Sequence, residues 1–285
     1  MSSTFQYPEA FDTSLGGNFT NPNCPKFFQT FLADQSFVQC YPMSFYLQNS
    51  QSYVVLVRNQ GIAGVQQVLA SSCSADLDQC QQTMLSYGTQ ILSDSNCGQD
   101  FDNGNPLVTQ AYQDFITYKM TREATCLPLS VNSTINYQKR DSLNSTTIPS
   151  GSNSTSTNST ATNATAATYC YTDALYNPLD VSDAFLYLLP YGISYPNTSL
   201  PSCSACTQRV MSLFHNYTGN SSYQISYSYE SASSLINSEC GSNFVNASGN
   251  PLPSASTSAK KNAAERPAFS MYYAVLLIVF ASFIL

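Results

Sequence analysis

The sequence predicts an all-α fold: a disulfide-stapled helical bundle in two related halves, separated by a disordered linker rich in Ser, Thr and Asn. Three observations lead to this prediction. Apolar residues recur at helical spacing behind capping signals, the ten cysteines make an even count, and one cysteine-containing signature occurs twice. Hydrophobic residues make up 43% of the 285-residue chain, which is enough apolar surface to build a core.

The first expected helix lies in the stretch NCPKFFQTFLADQSFVQC. Asn23 can cap it, and Pro25 occupies a position that a first helical turn accepts. Apolar residues four apart in this stretch form one face. Cys24 is therefore expected at the start of the helix and Cys40 just past its end.

Three more helices are expected in the first half, at about 44–70, 80–92 and 106–120. The helix at 44–70 is the least regular, because Gly61 and Gly64 weaken its centre and its valines would also suit a strand. In the last of the three, Asn105 caps and Pro106 takes the first turn. In the second half, shorter helices are expected at 183–189, ended by Pro190, and at 206–215 and 227–238.

The composition changes in the stretch 144–168, NSTTIPSGSNSTSTNSTATNATAAT. It holds no large apolar residue except Ile148, so it cannot bury enough surface to fold. The pair Lys139-Arg140 stands just before it, and kexin-type proteases cut such pairs; an uncut exposed loop and a cut chain held together by disulfides are the two alternatives. The expected divisions are 1–131 and 169–250 for the cysteine-rich halves, 132–168 for the linker, 251–262 for a Ser/Ala-rich stalk and 263–285 for a removed anchor signal.

A signature occurs once in each half. SCSADLDQCQQTM is followed by SNCGQDFDNGNP, and SCSACTQRVM is followed by SECGSNFVNASGNP. We interpret this as a duplicated helical unit stapled by cysteines. Gly98 and Gly241 follow the later cysteine of each copy and are expected to take the positive φ that ends a helix.

The cysteines are expected to form structural disulfides. Zinc is a weaker alternative, because only Cys203 and Cys206 have zinc-type spacing. If the first four helices alternate up and down, Cys40 pairs with Cys97; Cys126–Cys170 would tie the halves, and Cys240 would meet Cys203 or Cys206. The ten cysteines are Cys24, Cys40, Cys73, Cys80, Cys97, Cys126, Cys170, Cys203, Cys206 and Cys240.

The surface is poor in charge. Charged residues make up 9% of the chain, with 17 acidic against 10 basic residues, so binding of nucleic acid is excluded. N-glycans are expected to replace the missing charges. The acceptor motif Asn-x-Ser/Thr occurs at Asn18, Asn132, Asn144, Asn153, Asn158, Asn163, Asn197, Asn216, Asn220 and Asn246.

Both termini bear on localisation. The first residues have no basic region followed by an apolar run, so they are not a signal peptide, and a lost first exon or misplaced start is expected. The last fifteen residues, MYYAVLLIVFASFIL, would span only about 22 Å as a helix, which is short for a bilayer. They are better interpreted as the tail of a GPI-attachment signal, with Asn262 or Ser256 as the attachment site; a tail-anchored cytosolic protein is the competing interpretation.

Several stretches resemble a family of fungal secreted proteins that carry a cysteine-rich domain of unknown function. The matching stretches are FDTSLGGNFTNPNCPKFFQTFLAD, SDSNCGQDF, NPLVTQAY, YCYTDAL, YLLPYG, LPSCSACTQRVM and INSECGSNFVNAS. Members of that family typically start with a signal peptide and often end with a lipid-anchor signal. The resemblance implies a fungal surface protein, and it supplies no catalytic residues.

The sequence shows no marked catalytic constellation. His215, the only histidine, precedes a glycosylation motif and is expected to be a surface or packing residue. The acidic loop with Asp100, Asp102 and Asn103 resembles a calcium site, but its glycine is misplaced. No cofactor or metal is expected, and the oligomeric state is open.

The predicted function is that of a GPI-anchored, glycosylated protein at the outer face of the fungal plasma membrane or in the cell wall, with a structural or interaction role. Its expected partners are the membrane, through the lipid anchor, and cell-wall glycans. A cell-wall glycan hydrolase or transferase is one alternative. A small-lipid or glycan binder is the other, since tyrosine faces can stack on such ligands.

Overall fold

The computed structural model describes residues 5–129, 168–177 and 182–249, and within these it contains ten α-helices and one 3₁₀ helix. The all-α prediction is confirmed for these residues. The helices are α1 (Cys24–Ala33), α2 (Gln35–Val38), α3 (Met43–Asn49), α4 (Gln51–Ser74), α5 (Leu77–Ile91), α6 (Gly98–Asp102), α7 (Pro106–Thr125), α8 (Cys170–Tyr176), the 3₁₀ helix (Asp183–Tyr191), α9 (Ala205–His215) and α10 (Ile225–Cys240).

The first expected helix is broken in two. Asp34 adopts an extended conformation between α1 and α2, and its carboxylate accepts the backbone N–H of Ser36 at 2.9 Å, which caps the second piece. The expected cap at Asn23 is wrong, because Asn23 is already helical and makes no side-chain cap bond. Instead the side chain of Asn21 accepts the N–H of Asn23 at 2.9 Å.

The single helix expected at 44–70 is also two helices, α3 and α4, and the break lies at Ser50. Ser50 is extended, and its hydroxyl accepts the N–H of Tyr53 at 3.0 Å. The carboxylate of Asp12 accepts the N–H groups of Gln51 and Ser52 at 2.7 and 2.6 Å, so the α4 amino terminus is capped from a distant segment. Gly61 then kinks α4 with a φ of 57°.

Helix α7 is the centre of the molecule, and it packs against α3 and α5 on one side and against the 3₁₀ helix and α9 on the other. Asn105 caps it as expected, accepting the N–H of Leu107 at 3.1 Å. Near its other end Arg122 donates to the carbonyls of Ser72, Cys73 and Ala75 at 2.9, 2.8 and 2.7 Å. These carbonyls lie at the carboxyl end of α4, where helix carbonyls lack backbone N–H partners. The Arg122 side chain therefore supplies the missing hydrogen-bond donors of the neighbouring helix.

Two hydrophobic cores meet at α7. The aromatic core contains only first-half residues and is built around Phe31, Phe45 and Phe115, whose rings lie 4.9–6.1 Å apart in tilted or edge-on pairs. The shared core combines residues of α4 and α7, such as Met120, with second-half residues such as Phe214. The second half therefore buries its apolar side chains against the first.

All ten cysteines are paired, and no free cysteine remains. The five disulfides are Cys24–Cys97, Cys40–Cys80, Cys73–Cys126, Cys170–Cys206 and Cys203–Cys240. Of the two partners expected for Cys240, Cys203 and Cys206, the structure has Cys203. Because Cys203 and Cys206 belong to two different disulfides, neither is available as a zinc ligand.

The predicted bond Cys40–Cys97 is wrong. Cys40 pairs with Cys80, and Cys24 pairs with Cys97. The prediction assumed four unbroken helices that alternate up and down, and the breaks at Asp34 and Ser50 remove that assumption.

The predicted bond Cys126–Cys170 is also wrong, and no disulfide joins the halves. A short backbone pairing lies there instead: Cys170 N–H donates to the Leu127 carbonyl at 2.8 Å, and Leu129 N–H donates to the Thr168 carbonyl at 2.9 Å. The chain therefore leaves and re-enters the fold side by side at residues 129 and 168. A chain cut between them would be held by non-covalent packing alone.

The two signature glycines differ. Gly241 follows α10 with a φ of 104°, as expected for a helix end. Gly98 instead begins α6, and a Cβ there would lie 2.6 Å from the Leu92 carbonyl oxygen, so close packing requires this glycine. Pro190 lies inside the 3₁₀ helix, which ends at Tyr191, two residues later than expected, and is followed by Gly192 with a φ of 77°.

Candidate functional site

The acidic loop at residues 100–103, which resembles a calcium site in sequence, binds the backbone of the amino-terminal segment at residues 20–21. Asp100 is buried, and its two oxygens accept the backbone N–H groups of Thr20 and Asn21. Asn103 donates to the Thr20 hydroxyl at 3.3 Å, and Asp102 is exposed. In the part of the chain that the structure describes, no group of three or more His, Cys, Asp or Glu could hold a metal ion.

The Asp183 carboxylate holds the turn that precedes α9. It accepts the N–H and hydroxyl of Ser202 and the hydroxyl of Thr207, the N–H at 3.1 Å. Burial raises the pKa of the Asp183 carboxyl above its usual value, against the lowering effect of these bonds. Both oxygens are occupied by the turn that precedes α9, so its environment is that of a structural residue.

Asp114 lies in a closed polar seam where α3, α7 and the 3₁₀ helix meet. One oxygen accepts the Asn49 amide at 2.7 Å, and the other has no hydrogen-bond partner. Burial raises the pKa of this carboxyl well above its usual value. Tyr191 reaches the seam from the second half, donating its hydroxyl to the Ser44 carbonyl at 3.0 Å. Asp114 and Ser44 are fully buried, and Asn49 and Tyr191 are partly buried, so we expect the charge of Asp114 to make this part of the joint sensitive to pH.

His215 ends α9, and its ring lies 5.8 Å from that of Tyr229. This contact agrees with the expected packing role. The residue that follows, Asn216, is exposed and belongs to a glycosylation motif.

An open cavity of about 400 Å³ lies across the joint between the halves, and we call it the joint cavity. Helix α7 and the segment after it contribute Glu123 and Leu127. The second half contributes Arg209, Ser212, Leu213, Asn216 and Tyr217. The cavity is a depression open to solvent, and its lining mixes apolar surface from Leu127, Leu213 and Tyr217 with one carboxylate, one guanidinium and two neutral polar side chains.

Two hydrogen bonds across the joint fix the walls of this cavity. The Tyr217 hydroxyl donates to Glu123 Oε2 at 2.6 Å, and Arg209 donates to the Pro128 carbonyl at 2.6 Å. Burial raises the pKa of the Tyr217 hydroxyl, and the bond to Glu123 adds to this, so the phenol stays protonated as the donor. Lys119 lies 4.0 Å from the other oxygen of Glu123.

The sequence interpretation missed these cavity residues. Arg209 lies in the repeated signature SCSACTQRVM and Tyr217 in the glycosylation motif of Asn216, but neither pattern indicates that these residues meet Glu123. The one sequence feature that pointed to this region was Asn216, because its glycosylation motif, beside the single histidine, indicated that this segment is exposed.

Half of the predicted glycosylation sites lie in described residues, and all of these are exposed. They are Asn18, Asn197, Asn216, Asn220 and Asn246. The other five, together with Lys139-Arg140 and the attachment sites Asn262 and Ser256, lie outside the described residues. Within the described ranges no helix is both long and apolar enough to span a bilayer.

The chain belongs to the family defined by the domain of unknown function DUF7729. The family profile matches twice, over residues 6–156 and 152–249, so the protein contains two copies of this domain. No curated protein and no solved structure matches the sequence.

Proposed function

We propose that this two-copy DUF7729 protein is a glycosylated protein of the fungal cell surface, held by a GPI anchor at the outer face of the plasma membrane or in the wall. Its role there is structural or one of interaction with wall glycans. The observation that carries the proposal is the pairing of all ten cysteines in five disulfides, which suits an oxidising, extracellular compartment.

The surface supports the same proposal. The asparagine of every acceptor motif in the described residues is exposed, whereas six of the ten other described asparagines are at least partly buried. A chain with 9% charged residues gains solubility from glycans at such positions. The apolar run at 271–285, preceded by small residues and a polar spacer, has the composition of a GPI signal.

The joint cavity favours an interaction role over hydrolysis. Glycoside hydrolysis uses two carboxyl groups about 5–10 Å apart. In the described residues that line the cavity, Glu123 is the one carboxylate, and it is bound to the Tyr217 hydroxyl.

The test is to express the full chain behind a signal peptide in a yeast and to treat intact cells with phosphatidylinositol-specific phospholipase C. Release of the protein, without residues 271–285 by mass spectrometry, is expected. A matched variant with Asp in place of Val275 and Ile278 interrupts the apolar run and should reach the medium or be retained inside the cell. Retention at the surface after treatment, with the tail still present, would refute the anchor.

A further inference from the structure

The joint cavity and a glycosylation motif coincide at Asn216. Asn216 is exposed at the carboxyl end of α9, and it is also a lining residue of the cavity. Any glycan on this side chain therefore starts at the edge of a preformed depression. The cavity volume of about 400 Å³ lies at the small end of the range of about 300–1,000 Å³ for ligand sites.

The attachment point is held rigidly. The N–H of Tyr217 donates to the Phe214 carbonyl at 2.9 Å, and the Thr218 N–H donates to the His215 carbonyl at 3.2 Å. Thr218, the hydroxyl residue of the motif, is buried, and its hydroxyl also donates to the His215 carbonyl at 2.8 Å. Because the backbone of this turn is already ordered, the backbone loses no further conformational entropy when an attached sugar packs beside it.

The walls match the two kinds of surface that a sugar ring presents. Tyr217 and Leu213 offer apolar surface for the C–H face of a pyranose, and the Tyr217 ring is fixed by its bond to Glu123 and by Tyr223 at 5.9 Å. Glu123 has acceptor oxygens for hydroxyl and N-acetyl N–H groups, and Arg209 has donors for their oxygens.

We infer that the first N-acetylglucosamine residues of an N-glycan on Asn216 occupy the joint cavity and hold the two halves together. This inference rests on the proposed glycosylation of the chain. The glycan is attached to the second half, and the far wall of the cavity, Glu123 and Leu127, belongs to the first half. The glycan is then a structural part of the joint.

The experiment compares glycan release at Asn216 with release at Asn220 and Asn246 in the same secreted protein. Peptide N-glycosidase F is added to the native protein, and occupancy is followed by glycopeptide mass spectrometry. Only the undocked fraction is cut, so release at Asn216 is expected to be about tenfold slower than at the two controls, and equal to them after denaturation. Equal native rates would overturn the inference.

Two variants separate docking from simple crowding of the enzyme. Asn216→Gln is expected to lower the melting temperature by about 2–4 °C, while Asn220→Gln and Asn246→Gln leave it within about 1 °C. Leu127→Ser, which changes only the first-half wall, should speed native release at Asn216 towards the control rate. No effect of Leu127→Ser on release would also overturn the inference.

Occupancy distinguishes the two proposals. An unglycosylated Asn216 beside occupied Asn220 and Asn246 overturns the inference and leaves the proposed surface glycoprotein standing. An absence of glycan at every motif overturns both.

Discussion

The two copies of the domain bury their apolar side chains in different ways. The first has three disulfides and an aromatic core made only of its own residues. The second has two disulfides, and most of its buried apolar residues belong to the core that it shares with α3, α4 and α7. We therefore expect the first half to fold without the second, and the second half to depend on the first.

One staple is common to both copies. Cys40–Cys80 and Cys170–Cys206 each join a Cys-Tyr pair to the second cysteine of the Ser-Cys-Ser-Ala signature. The Cys-Tyr pair precedes α3 in the first copy and begins α8 in the second. The sequence separations, 40 and 36 residues, are similar. The other disulfides differ: Cys97 bonds to Cys24, whereas Cys240 bonds within the signature to Cys203. The comparison shows that the two copies of the cysteine repeat keep one equivalent disulfide, whereas the later cysteine of each copy, Cys97 or Cys240, bonds to a partner that is not equivalent.

The largest expected effect is obtained by separating the halves. Residues 168–249 alone should not fold, because their apolar side chains lose the surface of α4 and α7, whereas residues 5–129 alone should keep the aromatic core and their three disulfides. Thermal unfolding followed by circular dichroism, with disulfide mapping of each fragment, tests this. A cooperative transition in the 168–249 fragment would contradict the comparison.

Single large-to-small substitutions should separate the two cores. Phe31→Ala and Phe214→Ala each remove a fully buried ring and should cost about 3–5 kcal/mol of unfolding free energy. Hydrogen exchange is expected to show loss of protection throughout the chain for Phe31→Ala, but mainly over 168–249 for Phe214→Ala. Val55→Ala, at an exposed position, is the control and should change little. Equal patterns for the two phenylalanine variants would show one cooperative core.

The buried carboxyl group of Asp114, at the joint between the halves, should make the free energy of unfolding depend on pH. The pKa of Asp114 is raised in the folded state, so the folded protein binds this proton more tightly than the unfolded chain. The stability that it contributes is present below the ordinary pKa of about 3.9 and is lost as the pH rises through the folded-state pKa. Asp114→Asn keeps an acceptor for the Asn49 amide and should remove this loss.

Urea midpoints measured from pH 4 to pH 8 for both proteins test the prediction. The variant should be at least as stable as the parent at pH 7, and the difference should shrink towards pH 4. A difference that is constant with pH would show that Asp114 does not titrate in this range.

The smallest expected effect concerns the linker. Because residues 129 and 168 lie side by side, the residues between them can be replaced by a loop of about five residues without moving either half. The lower closure entropy should stabilise the protein by about 1–2 kcal/mol. A rise in melting temperature tests this, and a scrambled linker of the original length is the control. A fall in stability would show that the linker contributes contacts of its own.

Much of the fold could be predicted because the signals were local. Asn105 and Pro106 marked the start of α7, and the Gly241 position marked the end of α10. The break at Ser50 could not be predicted in this way, because Asp12, almost forty residues earlier, caps the helix that follows it. That break contradicts the four-helix alternation on which the predicted pairing of Cys40 with Cys97 depended.

The same distinction between local signals and long-range contacts applies to the candidate site. Sequence alone determined the helical class, the two copies, the oxidised cysteines and the positions of the glycosylation motifs, since each depends on residue type and short spacing. Only the tertiary structure decided which cysteines meet, which half depends on the other, and that Asn216 faces Glu123 across a cavity, because these contacts join residues that are scores of positions apart. Packing around α7 brings them together, and no local pattern encodes its outcome.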